Sequence, residues 1–151
     1  MFKFSRKMVF TIEAVLYIAI DGTKGPVQSR AVTQRQGIPE RYLEQALQRL
    51  VRVGILRGVR GPRGGYMLAR PAERISLGEI AGVVRAMEQA SEPAEAGPAS
   101  ELGQTIVLPM FEKLDAEIME RLDRIYISDL VRQACESDLV EDRVLSRLEA
   151  V

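Results

Sequence analysis

Four arginines lie in and beside the glycine-rich stretch G-V-R-G-P-R-G-G, and no acidic residue lies among them: Arg57, Arg60, Arg63 and Arg70. Guanidinium groups bind phosphate oxygens through charge and paired hydrogen bonds, and glycine lets a backbone approach a phosphate closely. The stretch therefore predicts binding of a polyanion. It matches neither the P-loop pattern G-x-x-x-x-G-K-[ST] nor the dinucleotide pattern G-x-G-x-x-G before a helix, so a nucleotide site is not predicted.

The arginines lie on a predicted β-hairpin with short strands at 55–57 and 66–69. Two helices are predicted before it. The first spans 27–36, with Ser29 as its N-cap and Gly37 at its end, and the second spans 39–53 with apolar residues at helical spacing. Two helices joined by about three residues and followed by a basic hairpin form the pattern of a winged helix-turn-helix, whose hairpin is the wing.

In such a unit the second helix enters the major groove with its N-terminus first, so Pro39, Glu40 and Arg41 are expected nearest to the bases. In the major groove, glutamate can accept a hydrogen bond from cytosine, and arginine can donate hydrogen bonds to guanine. Tyr42 is included among the DNA-binding candidates, although its place on the apolar stripe favours packing. The remaining predicted DNA contacts are Arg6, Lys7, Ser29, Arg30, Gln34, Arg57, Arg60, Arg63 and the backbone of Gly64 and Gly65.

Charge is divided between the two halves of the chain, although the net charge of all 151 residues is zero. Residues 1–74 contain 14 Lys/Arg and 5 Asp/Glu, which gives +9, and residues 75–151 contain 7 and 16, which gives −9. This division favours a polyanion-binding half and a half that stays away from the polyanion. Two oppositely charged, solvated faces are the alternative reading, and for Arg6 and Lys7 an ordinary surface role is equally favoured.

Further helices are predicted on both sides of this unit. One spans 5–20 with Ser5 as its N-cap, and another runs from a capping box at Ser76 and Glu79 to about residue 88. A long helix at 104–126, which Pro109 either starts or kinks, precedes a short helix capped by Ser128. The long helix carries an apolar stripe that fits either a dimer interface or packing on its own core: Phe111, Leu114, Ile118, Leu122 and Ile125.

The expected fold is therefore mostly α-helical with a small β-hairpin wing. Residues 1–88 are predicted to form the winged domain, 89–103 a loop, 104–135 the dimerisation helix with its short continuation, and 136–151 a tail. No apolar run is long enough to span a membrane and no signal peptide is recognised, so a cytoplasmic protein is expected.

The chain contains one cysteine, Cys135, and no histidine. It therefore lacks Ser/His/Asp, Cys/His and metal-ligand sets, and neither an enzyme nor a metal site is predicted. Cys135 is interpreted either as a buried structural residue or as a redox switch. A dimeric ligand- or protein-binding module that keeps the winged fold without binding DNA is the alternative function.

Several motifs resemble the Rrf2 family of bacterial transcription regulators: Tyr42-Leu43-Glu44-Gln45, Leu50, Gly54, Arg60-Gly61 and Gly64-Gly65-Tyr66. The resemblance extends to about residue 135. It implies a homodimer that binds double-stranded DNA, usually a repressor at near-palindromic operators. Family members with an iron–sulfur cluster place three cysteines in the loop that is 89–105 here, and this loop has none. The resemblance therefore implies a member without a cofactor, whose signal, such as a small-molecule effector, it leaves undetermined.

Overall fold

The structure, a computed structural model, describes residues 4–140. The predicted amphipathic segment at 138–151 falls mostly outside the described residues. Within them, the helices are α1 (Arg6–Asp21), α2 (Ser29–Gln36), α3 (Glu40–Arg52), α4 (Leu77–Ser91), α5 (Leu108–Leu122) and α6 (Ile127–Glu136). The strands are β1 (Leu56–Val59) and β2 (Gly65–Leu68), and shorter helical turns occupy Gly22–Lys24, Ala72–Arg74 and Gly103–Val107. The expected mostly helical fold with one small hairpin is confirmed.

Helix α1 is the central core helix, as its sequence predicts. The hydroxyl oxygen of Ser5 accepts a hydrogen bond from the backbone N–H of Met8 at 3.1 Å, so Ser5 is the N-cap. Ala14, Val15 and Ile18 are almost completely buried, and α2, α3, α4 and α6 all pack on α1. The main hydrophobic core therefore forms around this helix.

Helices α2 and α3 form the predicted pair, joined through Gly37 in the left-handed conformation, with φ of 66°. Leu43, Leu47 and Leu50 are the buried side of α3. The assignment of Ser29 as N-cap is wrong, because α2 begins at Ser29 itself and Gln28 occupies the cap position without a side-chain bond. The Ser29 hydroxyl donates to α3 instead.

The hairpin pairs antiparallel, with Leu56 opposite Leu68 and Val59 opposite Gly65, so both strands are displaced by about one residue from their predicted positions. A second contact was not predicted. Val27 and Tyr66 exchange two backbone hydrogen bonds, of 2.9 and 2.8 Å, which tie β2 to the segment before α2. Strand β2 is therefore paired on both of its edges, with β1 on one side and Val27 on the other.

Helix α4 has the predicted capping box, in which the Glu79 N–H donates to the Ser76 hydroxyl at 3.2 Å and the Ser76 N–H donates to the Glu79 carboxylate at 3.1 Å. It continues to Ser91, three residues beyond the predicted end. The assignment of Ser128 as the cap of α6 is wrong. That helix starts at Ile127, and the Asp129 carboxylate accepts from the backbone N–H of Tyr126 at 2.8 Å.

Helical structure before α5 begins at residue 101, and a π-helical turn at Gly103–Val107 leads directly into α5. Pro109 follows this turn. Proline has no N–H to donate and its ring crowds the preceding turn, which favours a wider turn there. Pro109 lies in the first turn of α5, as one of its two predicted roles requires, but helical structure already precedes it from residue 101. Arg85 of α4 holds α5 through two hydrogen bonds to Asp115, of 2.7 and 2.8 Å.

Only part of the predicted dimerisation stripe along α5 is exposed. Leu122 and Ile125 are partly buried against the molecule's own core, which favours the alternative of packing inward, and Phe111 and Ile118 are half-buried. The assignment of these residues to a dimer interface stays a prediction. The exposed apolar side chains lie nearer the start of the helical segment, with exposed fractions from 69% to 36%: Leu102, Ile106, Met110 and Leu114. The C-terminal end of the stripe, Leu122 and Ile125, therefore faces inward, whereas Leu114 is exposed.

Within residues 4–140, none of the helices combines the length and the apolar character that crossing a membrane requires.

Candidate nucleic-acid interface

A cleft of about 620 Å³ lies between the starts of α2 and α3 and one face of the wing. It brings together five of the residues predicted to contact DNA, namely Ser29, Arg30, Glu40, Arg60 and Gly65. Arg30, Glu40 and Arg60 are exposed. The cleft therefore places two cations beside the N-terminal turn of α3, where the helix dipole also favours a negatively charged group.

The floor of the cleft is organised by Glu44, a residue that the sequence marked only as part of a family motif. Its carboxylate accepts hydrogen bonds from the hydroxyl of Tyr66 and from the hydroxyl of Ser29, both at 2.7 Å. These bonds lower the pKa of Glu44, the Tyr66 bond most. Burial and the adjacent carboxylate raise the pKa of Tyr66 far above its ordinary range. One carboxylate thus connects α2, α3 and the wing, and Ser29 is already engaged within the protein.

Gly64 and Gly65 serve the internal geometry of the wing. Gly64 is buried, and a Cβ atom there would lie 2.1 Å from the Val59 carbonyl oxygen. Gly65 has φ of +155°, and a Cβ atom there would lie 2.5 Å from the Val27 carbonyl oxygen. Both glycines are therefore required by close backbone approach inside the molecule, which is a different reason from the predicted approach to phosphate.

The wing divides its arginines between two faces. Arg60 lines the cleft and Arg63 is exposed near the tip. Arg57 lies beside Met67 in a separate cavity on the other face of the wing. Arg70 is held at the base, where it donates to two backbone carbonyls and to Glu79 at 2.9 Å. The predicted cationic hairpin is thus not one continuous contact surface.

Three of the other predicted contacts are associated with aromatic rings. The Arg6 guanidinium lies 5.6 Å from the centre of the Phe10 ring, and the Lys7 ammonium lies 5.2 Å from the centre of the Tyr42 ring. Tyr42 is half-buried against α1, and burial raises the pKa of its hydroxyl. Tyr42 therefore packs, as its place on the apolar stripe favours. The remaining candidates, Gln34, Pro39 and Arg41, are exposed.

Several exposed polar residues of this region were not among the predicted contacts. Gln28 donates to the Pro62 carbonyl at 3.4 Å and so contacts the wing tip. Gln45, Arg49 and Arg52 line a polar depression between α3 and α4. The sequence places Gln45, Arg49 and Arg52 on the polar face of the predicted helix, which is a signal for surface contacts. The prediction, however, assigns only the N-terminal turn of this helix to the major groove.

The available donors do not fit an iron–sulfur cluster or a zinc site. Such sites use several thiolates or imidazoles, and this chain has one cysteine and no histidine. Cys135 lies in the hydrophobic core with 6% of its surface exposed. Among the described residues, no group of three or more histidine, cysteine or acidic side chains is arranged to hold a metal ion. The redox role of Cys135 stays a prediction, and its burial favours the structural reading.

Comparison with known proteins gives a consistent result. The model of the Rrf2 family, described as iron-dependent transcriptional regulators, matches residues 4–133. A regulator of the helix-turn-helix type, IscR from Cronobacter sakazakii, is 30% identical over 122 residues, covering 81% of this chain and 75% of that protein. A Synechocystis sp. protein named as a transcriptional regulator of the same type is 34% identical over 134 residues, covering 87% and 89%.

Solved structures show the same fold. IscR from T. potens superposes with a TM-score of 0.70 at 30% identity, covering 93% of this chain and 94% of that one. CymR, the global cysteine regulator of B. subtilis, superposes with a TM-score of 0.63 at 26% identity, covering 88% and 98%.

Proposed function

Because this chain belongs to the Rrf2 family of transcription regulators and is thus a DNA-binding regulator, we propose that it acts as a homodimeric repressor in the cytoplasm. Each protomer would place the N-terminal turn of α3 in the major groove of one half-site, and two protomers would recognise a near-palindromic operator. Repression follows when the bound dimer excludes other proteins from the same DNA.

The observation that carries the proposal is the cleft between α3 and the wing. Arg30 and Arg60 line this cleft together with the exposed Glu40. Arg41, next along α3, and Arg63, at the wing tip, are exposed cations as well. In this arrangement arginines bind phosphate oxygens, while Glu40 and Arg41 are near enough to the helix N-terminus to contact base edges. Arg57, on the other face of the wing, contributes less to this surface.

The homodimer is supported by the exposed apolar row on and before α5. Leu102, Ile106, Met110 and Leu114 are spaced by four residues, which places them along one side of a helix. A second copy of the same row would bury it. The opposite charges of the two halves of the chain are consistent with this division, because the acidic half then stays away from the DNA.

The proposal is tested by the salt dependence of DNA binding. Arg63→Ala should weaken binding to all duplex sequences and reduce the slope of log affinity against log salt by about 1, because one phosphate contact is lost. Fluorescence anisotropy with a random duplex and with an operator selected from a random library would measure both effects. Arg132→Ala, on α6 in the acidic half, is the matched control and should change neither.

An unchanged slope and affinity in Arg63→Ala would remove the wing tip from the interface. Absence of binding to any duplex at micromolar protein and low salt would instead support the alternative module that keeps the winged fold without DNA.

A further inference from the structure

A second cavity, of about 590 Å³, lies at the base of the wing on the face opposite the cleft. Its walls come from the end of α1, the turn after it and the wing, including Ile18, Ala19, Arg57, Met67 and Ala69. Side chains alternate between the two faces of a strand, so Tyr66 faces the cleft while Met67 faces this cavity. The two cavities therefore share the wing as a common wall.

Some polar groups around this cavity have hydrogen-bond or ion-pair partners that match them, and one does not. The Thr23 hydroxyl donates to the Ile20 carbonyl at 2.9 Å, and the Arg70 guanidinium is neutralised by Glu79. Arg57 has, among the described residues, no acidic partner, and it donates to the Met67 sulfur at 3.3 Å. A thioether is a weak acceptor and carries no charge. An uncompensated cation thus stands beside a largely apolar cavity.

We propose that this cavity binds a small amphipathic carboxylate, whose apolar body lies against Ile18, Ala19 and Met67 and whose carboxylate pairs with Arg57. A planar guanidinium and a carboxylate form two parallel hydrogen bonds, stronger than those of neutral pairs. The volume lies within the range of about 300–1,000 Å³ that is usual for small-molecule sites, and such sites combine apolar walls with few polar anchors.

A ligand in this cavity would let the proposed repressor respond to a small molecule. This effect on DNA binding rests on the proposed function. Arg57 lies on the face of the wing opposite the DNA-binding cleft, so a bound ligand acts on DNA binding through the position of the wing and not by competing for a phosphate. If the ligand changes the affinity for DNA in this way, DNA changes the affinity for the ligand by the same factor. Because the cavity joins α1 to the wing, an occupied site also restrains the wing on its outer face.

Ligand binding is tested without DNA, so that its outcome does not depend on the proposed function. Isothermal titration calorimetry would follow binding of butanoate, hexanoate, octanoate and benzoate to the full chain, with octanamide as the uncharged counterpart of octanoate. At least one carboxylate should bind with a dissociation constant of about 1 mM or lower, which corresponds to roughly −4 kcal/mol. Octanamide should bind at least tenfold more weakly than octanoate.

Two substitutions connect that binding to the cavity. Arg57→Gln should weaken carboxylate binding at least tenfold, and Ala69→Leu should abolish it by filling the entrance, because Ala69 is exposed and lines the cavity. Arg63→Gln, an equal change of charge at the wing tip, is the control and should bind as the unmodified chain does. Circular dichroism would verify that each variant is folded.

The proposal is overturned if none of the four carboxylates binds in the millimolar range, or if Arg57→Gln and Ala69→Leu bind as tightly as the unmodified chain. The second result would place binding elsewhere, such as on the exposed apolar row before and along α5.

Discussion

Among individual residues, Glu44 has the largest structural influence on the interface. A carboxylate that accepts from two hydroxyl groups at 2.7 Å is neither a free surface charge nor a simple core residue. It fixes Tyr66 of the wing and Ser29 of α2 relative to the groove-facing helix. Its negative charge also limits what the cleft admits, since a phosphate at this point would be repelled.

Replacing Tyr66 by Phe removes the bond that lowers the pKa of Glu44 most. The free energy of unfolding at pH 7 should fall by about 1 kcal/mol, below the usual range for a bond to a charged acceptor because the pair is only half-buried. A lowered folded-state pKa adds stability that is fully present above the ordinary carboxyl pKa and lost as the pH falls through the folded value. The difference between variant and unmodified chain should therefore shrink below about pH 4.

Urea unfolding between pH 3 and pH 7, a range chosen around the ordinary glutamate pKa of about 4.3, would measure this dependence. Tyr17→Phe is the control, because the Tyr17 ring stacks on Arg35 at 5.0 Å and does not contact Glu44. A Tyr66→Phe difference that stays constant down to pH 3 would show that the bond to Glu44 contributes nothing.

At the scale of helices and strands, much of the fold could be predicted because periodicity and local capping decide it. The Ser76–Glu79 box and the Gly37 turn use only neighbouring residues, and both are confirmed. Ser29 and Ser128 have the same cap preference, but neither is a cap. For Ser29 the competing partner is 15 residues away and is not revealed by local spacing, whereas for Ser128 it is a neighbouring residue. Glu44 takes the Ser29 hydroxyl, and Asp129 bonds the first turn of α6.

The sequence predicted most residues of the candidate site, but the prediction did not place the arginines of the wing on two different faces. Sequence spacing identifies Arg57 and Arg60 as members of one basic hairpin. Side chains alternate along β1, so Arg57, opposite Met67, faces one cavity, while Gly58, opposite Tyr66, faces the cleft that Arg60 lines. Alternation predicts that Arg57 and Arg60 diverge, but it does not predict which face meets α2 and α3, because a register shifted by one residue exchanges the two faces. The exposed apolar row likewise lies nearer the start of the helical segment than the predicted stripe.

The exposed row allows a direct test of the dimer. Changing both Met110 and Leu114, which are 50% and 36% exposed, to Glu should weaken dimerisation by about 2 kcal/mol or more, because charges would face each other in an apolar interface. Sedimentation equilibrium would measure the dissociation constant. Val53→Glu, an equally exposed apolar position at the end of α3, is the control. An unmodified chain that is monomeric, or a double variant that dimerises normally, would contradict the proposed interface.

For the whole molecule, the composition of the chain predicts how the purified protein responds to metal removal. A dimer would contain two cysteines and no histidine, and both cysteines would be buried in separate cores. We expect no visible absorption band from protein purified without oxygen, and no change in DNA affinity after treatment with EDTA. Absorbance spectroscopy and anisotropy would measure these properties. A visible band whose loss accompanies a loss of DNA affinity would contradict a cluster-free regulator.

Hydrogen bonds between Val27 and Tyr66, and between Tyr66 and Glu44, join the wing and α3 into one DNA-binding unit. In the proposed dimer, neither part can swing independently to follow a displaced half-site. One base pair inserted at the operator centre increases the distance between the half-sites by about 3.4 Å and rotates one half-site about the DNA axis by roughly 35° relative to the other. Because the wing and α3 cannot adjust separately to a shifted half-site, we expect such an insertion to weaken binding, so that the distance between half-sites is part of what the dimer recognises.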